Sequence, residues 1–173
     1  QALAKRGAVR RALSIVEKIT YRQSKAQALA RIAQILVETG DEQSAREALE
    51  YALNLSEEIV DRQKEVEALI TVSRVLIQVG EIDRALITAE EIADEERRSQ
   101  EIANIAEVLA QMEDVERALS IASTIPVTRW QAAALAAVGQ TLAKRGDIER
   151  ACEIFTRVLG VLEGIAHEEY KAI

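Results

Sequence analysis

Residues 140–151 read QTLAKRGDIERA, and this short stretch decides the fold. A helix-forming run reaches Lys144-Arg145-Gly146, a carboxylate follows at Asp147, and a small residue, Ala151, stands five positions beyond the glycine. The same order recurs along the chain. Lys5-Arg6-Gly7 precedes AVRRALSIV, Glu38-Thr39-Gly40 precedes DEQSAREAL, Gln78-Val79-Gly80 precedes EIDRALITA, and Gln111-Met112-Glu113 precedes DVERALSIA. Five positions after each turn comes an alanine: Ala12, Ala45, Ala85, Ala118 and Ala151. The turns are spaced by 33, 40, 33 and 33 residues, so the unit is 33 residues long with a seven-residue insertion in one copy.

Each unit reads as two helices. Leu29, Ile32, Ala33 and Leu36 fall at helical spacing, as do Leu69, Val72, Ser73 and Leu76 in the next copy. Ile102, Ile105, Ala106 and Leu109 repeat the stripe, and Leu135, Val138, Gly139 and Leu142 repeat it again. Glycine then closes the first helix, because a left-handed residue ends it with no Cβ penalty. Asp41, Asp114 and Asp147 follow the turn, where a carboxylate caps free amides of the second helix. Asp61, Asp94 and Thr128 are expected to start further first helices, and the only proline, Pro126, sits in one such junction. Ala33, Ser73, Ala106 and Gly139 are the small residues of the first helices. Together with the five alanines they let each helix pair cross closely at one point. No strand pattern competes.

Composition agrees with close-packed helices. Half of the 173 residues are apolar and 3% are aromatic, so the core is built from Ala, Leu, Ile and Val. A net charge of −7 argues against a protein that grips phosphate backbones or anionic lipid. No apolar run is long enough to span a membrane, and the start does not read as a signal peptide, so nucleic acid and membrane are not expected partners. One cysteine excludes a disulfide framework and a multi-cysteine metal site. A single reduced thiol with no targeting segment fits the cytoplasm.

The order of small residue, Leu, Gly-Asp and Ala resembles the tetratricopeptide repeat, a helix–turn–helix unit of about 34 residues, over nearly the whole chain. The resemblance implies an all-α α-solenoid, a right-handed superhelix of antiparallel helix pairs with four to five repeats. Aliphatics replace the family's aromatics: Leu29, Leu69, Ile102 and Leu135 stand at the Trp-like position, and Leu36, Leu76, Leu109 and Leu142 at the Tyr-like one. The family's closing proline is matched only near Pro126. Pentatricopeptide repeats, which read RNA, have a 35-residue period; the 33-residue unit and the acidic charge disfavour them.

The second unit's insertion lengthens its second helix by about two turns, and the last unit, from Phe155 onward, aligns with that long copy: Leu49 with Phe155, Ile59 with Ile165, and Val66 with Ala172. Gln1–Gly7 matches Gln140–Gly146, so residues 1–173 are expected to be one array cut from a longer one, or an array whose uncapped ends pair with another copy.

Catalysis needs converging titratable groups, and the inventory is thin. His167 is the only imidazole, and in His167-Glu168-Glu169-Tyr170-Lys171 a lysine stands where a zinc helix needs its second histidine. His167 is expected at the exposed start of a helix, Cys152 as a packing thiol, and Gly160 and Gly164 at helix ends. The charge run Glu90–Arg98 reads as a solvated junction with acids at a helix N-terminus, in preference to a site for a cation or a basic peptide. Trp130 reads equally as an interface anchor or as a plug around Pro126. Neither enzyme activity, nor a cofactor, nor a metal is expected.

In the tetratricopeptide family the first helices line the concave face, and the resemblance carries that orientation here. The groove candidates are then Gln27, Gln34 and Val37 in the second unit, Glu67, Ile70, Arg74 and Ile77 in the third, Gln100 and Glu107 in the fourth, and Gln140 and Lys144 in the fifth. Small neighbours (Ala30, Ala103, Ala110, Ala133, Ala136 and Ala143) and the polar Glu38, Gln78 and Gln111 share these faces. Such a surface suits an amphipathic helix, an extended peptide or a partner domain. The family's carboxylate clamp needs Lys and Asn; Ala30, Ile70, Ala103 and Ala136 occupy the Lys positions, and Gln34, Arg74, Glu107 and Gln140 the Asn positions. Chaperone-tail binding is therefore rejected. The expected function is a non-catalytic protein-interaction scaffold. The alternatives are a self-associating array and a recruiting arm of a larger enzyme.

Overall fold

The computed structural model describes residues 11–171, with side chains described through Gly164, and every regular element among them is helical. Residues 11–16 are the described part of α1. Then come α2 (Arg22–Glu38), α3 (Glu42–Glu57), α4 (Arg62–Gln78), α5 (Ile82–Glu90), α6 (Glu95–Gln111), α7 (Val115–Thr124), α8 (Thr128–Lys144) and α9 (Ile148–Lys171). The turn expected at Gly7 lies outside the described residues. The chain divides into two compact units, 1–93 and 94–173. Each is a stretch of α-solenoid: α2 pairs with α3 and α4 with α5 in the first, α6 with α7 and α8 with α9 in the second. First helices also pack side by side, α2 on α4 and α6 on α8.

The turns are built alike. Gly40, Gly80 and Gly146 take φ of +79°, +83° and +87°, and Glu113 takes +74° in their place. After each, the next amide reaches back to a leucine carbonyl: Asp41 to Leu36 (2.9 Å), Glu81 to Leu76 (2.9 Å), Asp114 to Leu109 (3.0 Å) and Asp147 to Leu142 (3.0 Å). This six-residue closure satisfies carbonyls the helix leaves free and points the next helix backwards. The expected caps form. The carboxylates of Asp41, Asp114 and Asp147 accept the amides of Ser44, Arg117 and Arg150. Asp61 and Asp94 cap α4 and α6 in the same manner. Thr128 starts α8, as expected. Val127 is its extended cap residue and makes no side-chain cap, and Ile125, just before Pro126, is likewise extended.

The crossings are as tight as the small residues suggest. Ala33, Ser73, Ala106, Ala45, Ala85, Ala118 and Ala151 are buried, and Ala12 is half-buried. Ser73 Oγ donates to the carbonyl of Ala85 across the α4–α5 crossing at 3.1 Å. At the α8–α9 crossing, a Cβ on Gly139 would meet the Phe155 ring at 3.0 Å. The insertion falls in α3, which has 16 residues against 9 in α5 and 10 in α7.

Three expectations about α9 are corrected. Gly160 and Gly164 lie inside α9 rather than at a helix end. No positive φ, capping side chain or proline interrupts the stretch, so glycine simply stays helical. For the same reason His167 is not at a helix start; its side chain lies outside the described residues. Cys152 is exposed rather than packed, because the buried stripe of α9 runs through Ala151 and Ile154, and the next residue points about 100° away from Ala151.

Candidate protein-interaction groove

The groove candidates sit on first helices, and none is fully buried. Gln27, Gln34, Val37, Glu67, Ile70, Ile77 and Gln100 are half-buried; Arg74, Glu107, Gln140 and Lys144 are exposed. Their small neighbours divide. Ala30, Ala103 and Ala110 are buried in the packing and are not groove floor, which corrects their place among the candidates. They lie one helical step from the exposed face, and neighbouring helices cover that step.

In the 94–173 unit the fold brings three candidates together. Glu107 of α6 and Gln140 and Lys144 of α8 line one depression of about 310 Å³, with Gln111, Ala137, Thr141 and Arg145. Ala137 and Thr141 share the lining, and Thr141 Oγ1 donates back to the Ala137 carbonyl at 3.0 Å, so the hydroxyl is satisfied within the helix. Gln111 donates to Glu107 at 3.2 Å. Arg145 donates to the Gln111 carbonyl at 2.9 Å and approaches Glu113 at 3.9 Å. Polar side chains thus predominate around the depression, with cationic and anionic groups on opposite helices. Ala137, Thr141 and Arg145 escaped the sequence reading, although the spacing 137, 140, 141, 144 marks a single helical face.

In the 1–93 unit the candidates are less gathered. Glu67 of α4 accepts from Gln23 of α2 at 2.6 Å. Gln23, one turn before Gln27, is a residue the sequence reading missed. Val37 instead faces the turns, lining a small hollow of about 80 Å³ with Ala45, Arg46, Leu49, Val79 and Glu81. A third depression, of about 390 Å³, opens where α2 and α4 begin, between Tyr21, Arg22 and Gln23 on one side and Glu58, Val60 and Lys64 on the other; an Arg22–Glu58 ion pair of 3.0 Å spans it.

Trp130 is half-buried; its indole N–H donates to Glu96, which also pairs with Arg129. The side chain ties the start of α8 to the start of α6. Similar ties join positions about one repeat apart, Arg46 to Glu81 and Arg150 to Glu116. The acidic run behaves as read: Asp94 caps α6, and Glu95 and Glu96 occupy its first turn. Among the described residues, no three His, Cys, Asp or Glu side chains converge as a metal site, and no helix is long and apolar enough to cross a membrane.

The tetratricopeptide repeat family matches residues 26–59, from within α2 through its turn to just past α3. Among solved structures the chain resembles the nearly identical tetratricopeptide-like repeats of a Podosopora anserina putative kinesin light chain, at 14% identity and a TM-score of 0.53, covering 93% of this chain and 88% of that one. A point variant of the same Podosopora anserina protein matches equally, with 14% identity, a TM-score of 0.53, and coverage of 94% and 89%. A comparison with curated proteins finds no match. With a shared turn, crossing and helix order in every described repeat, the chain has a tetratricopeptide-like helical-repeat fold.

Proposed function

We propose that this chain is a non-catalytic interaction module whose first helices present a groove to a peptide or a partner domain. Tetratricopeptide repeats are in general protein–protein interaction modules, which supports the class. The observation that carries the reading is the depression lined by Glu107, Gln140 and Lys144 between α6 and α8. Ala137 and Thr141 offer a small contact area, and the amides and charges around them fix the register of an extended ligand. In the 1–93 unit, taken by itself, Gln34 of α2 and Ile70, Arg74 and Ile77 of α4 offer residues of comparable chemistry.

Selection from a phage library of random peptides, followed by fluorescence anisotropy, tests this. Lys144→Glu combined with Gln140→Ala is expected to weaken a selected peptide at least about tenfold, with far-UV helicity unchanged. The same loss is expected of Arg74→Ala with Ile77→Glu for peptides seated on α2 and α4. Cys152→Ser, outside the groove, is the control and leaves affinity intact. Peptides that bind equally well to both double variants contradict the groove reading.

A further inference from the structure

The depression between α6 and α8 has walls of opposite sign. Of the first helices α2, α4, α6 and α8, only α8 carries no Asp or Glu, and its last turn holds Lys144. Glu107 of α6 stands on the other wall. Part of the charge around the depression is already spent: Arg145 donates to the Gln111 carbonyl and approaches Glu113. Lys144 and the Gln140 amide, by contrast, have no hydrogen bond or ion pair among the described residues. Glu107 uses only Oε1, which accepts from Gln111, and its second oxygen is open. Arg74, the other cation among the groove candidates, already has a partner.

These open groups select a ligand by its charge pattern. Residues four apart on a helix have Cβ atoms about 5–6 Å from each other, so the Lys144 ammonium and the Gln140 amide reach one carboxylate together. A single ammonium beside a neutral amide matches the one charge of a carboxylate better than the higher charge of a phosphate. Glu107 takes the opposite sign. A run of acids would set a second acid against Glu107, and a run of bases would set one against Lys144, so the two walls reject both. Neighbouring side chains of an extended segment point to opposite sides, which lets one face each wall. We propose that the ligand is an internal extended segment in which an acidic side chain stands next to a basic one, the acid on Lys144 and Gln140 and the base on Glu107. This rests on the groove reading above and names the class of peptide that the groove takes.

The probes are peptides selected from a random phage library and synthesised with both termini blocked, with affinity read by fluorescence anisotropy. Groove peptides are expected to carry an acid beside a base. Changing that acid to Gln is expected to weaken binding about fivefold on the unaltered chain and to change nothing on Lys144→Gln. Changing it to Lys gives a peptide that binds Lys144→Glu about tenfold tighter than the unaltered chain, and changing the base to Glu does the same for Glu107→Lys. All three positions are solvent-exposed, and far-UV helicity confirms that the variants fold. Peptides that keep their affinity for Lys144→Glu with Gln140→Ala, or a library that yields no binder, sink the groove reading and this inference with it. Other outcomes leave the groove standing and overturn the ligand class: an acid-to-Gln change that costs the same on the unaltered and Lys144→Gln chains, charge exchanges that restore nothing, or groove peptides that carry one sign only or bind only with a free C-terminus.

Discussion

Glu113 occupies a backbone conformation that the other described turns assign to glycine. Its φ of +74° brings Cβ against its own carbonyl neighbourhood, a cost that Gly40, Gly80 and Gly146 do not carry. Around those three glycines a Cβ would meet nothing within 4 Å, so the penalty at this position is purely conformational. Glu113→Gly is therefore expected to stabilise the protein by about 0.5–1 kcal/mol, and Gly80→Ala to destabilise it by a similar amount, as read from urea unfolding midpoints. Ser99 presents a second local conflict. Its hydroxyl is fully buried and has no partner among the described residues, whereas the equivalent positions hold Ala26, Val66 and Ala132. Ser99→Ala is expected to raise stability by roughly 1 kcal/mol, because the desolvated hydroxyl disappears and almost no volume is lost. A lower unfolding midpoint for this variant means that the hydroxyl has a partner in solution.

Helix pairs are set by how closely two backbones approach. Ala118 is fully buried where α6 crosses α7, and Leu at that point has no room without forcing the pair apart. Ala118→Leu is expected to cost about 1–3 kcal/mol, and thermal unfolding followed by circular dichroism measures it. Junctions between pairs are governed by charge as well. At the end of α5, partial burial first, and then the nearby Glu57 and Glu65, push the Glu91 carboxyl above its ordinary range. The fold therefore prefers Glu91 protonated. Its favourable contribution is complete below the ordinary carboxylate pKa and is lost as pH rises through the raised value. At neutral pH the ionised group opposes folding slightly, because solvent screens this exposed carboxylate. Glu91→Gln is expected to melt slightly higher than the unaltered chain at pH 7, with the gap closing below about pH 4. A gap that persists unchanged in acid removes the electrostatic explanation.

Across the whole molecule, what was legible in the sequence was whatever local physics imposes at a fixed offset. The left-handed turn residue, the carboxylate after it, the small crossing residues and the length of α3 each answer a requirement met within one helix pair. What was not legible depends on neighbours. Ala30, Ala103 and Ala110 lie beside the exposed candidates, yet adjoining helices bury them; a shift of one residue around the helix decided the outcome, and periodicity alone does not resolve that shift. Cys152 reads as core in sequence because it stands beside the apolar stripe of Ala151 and Ile154, yet one step around α9 leaves it exposed. The groove shows the same limit: Glu107, Gln140 and Lys144 meet around one depression, while Val37 turns toward a different hollow.

Hydrogen exchange, with and without a selected peptide, examines the proposed groove most directly. Bound peptide is expected to slow exchange along α6 and α8, at the amides around Glu107, Gln140 and Lys144, or along the corresponding faces of α2 and α4, while α7 and α9 change little. Protection that appears on α7 and α9 and leaves the first helices unaltered contradicts the account.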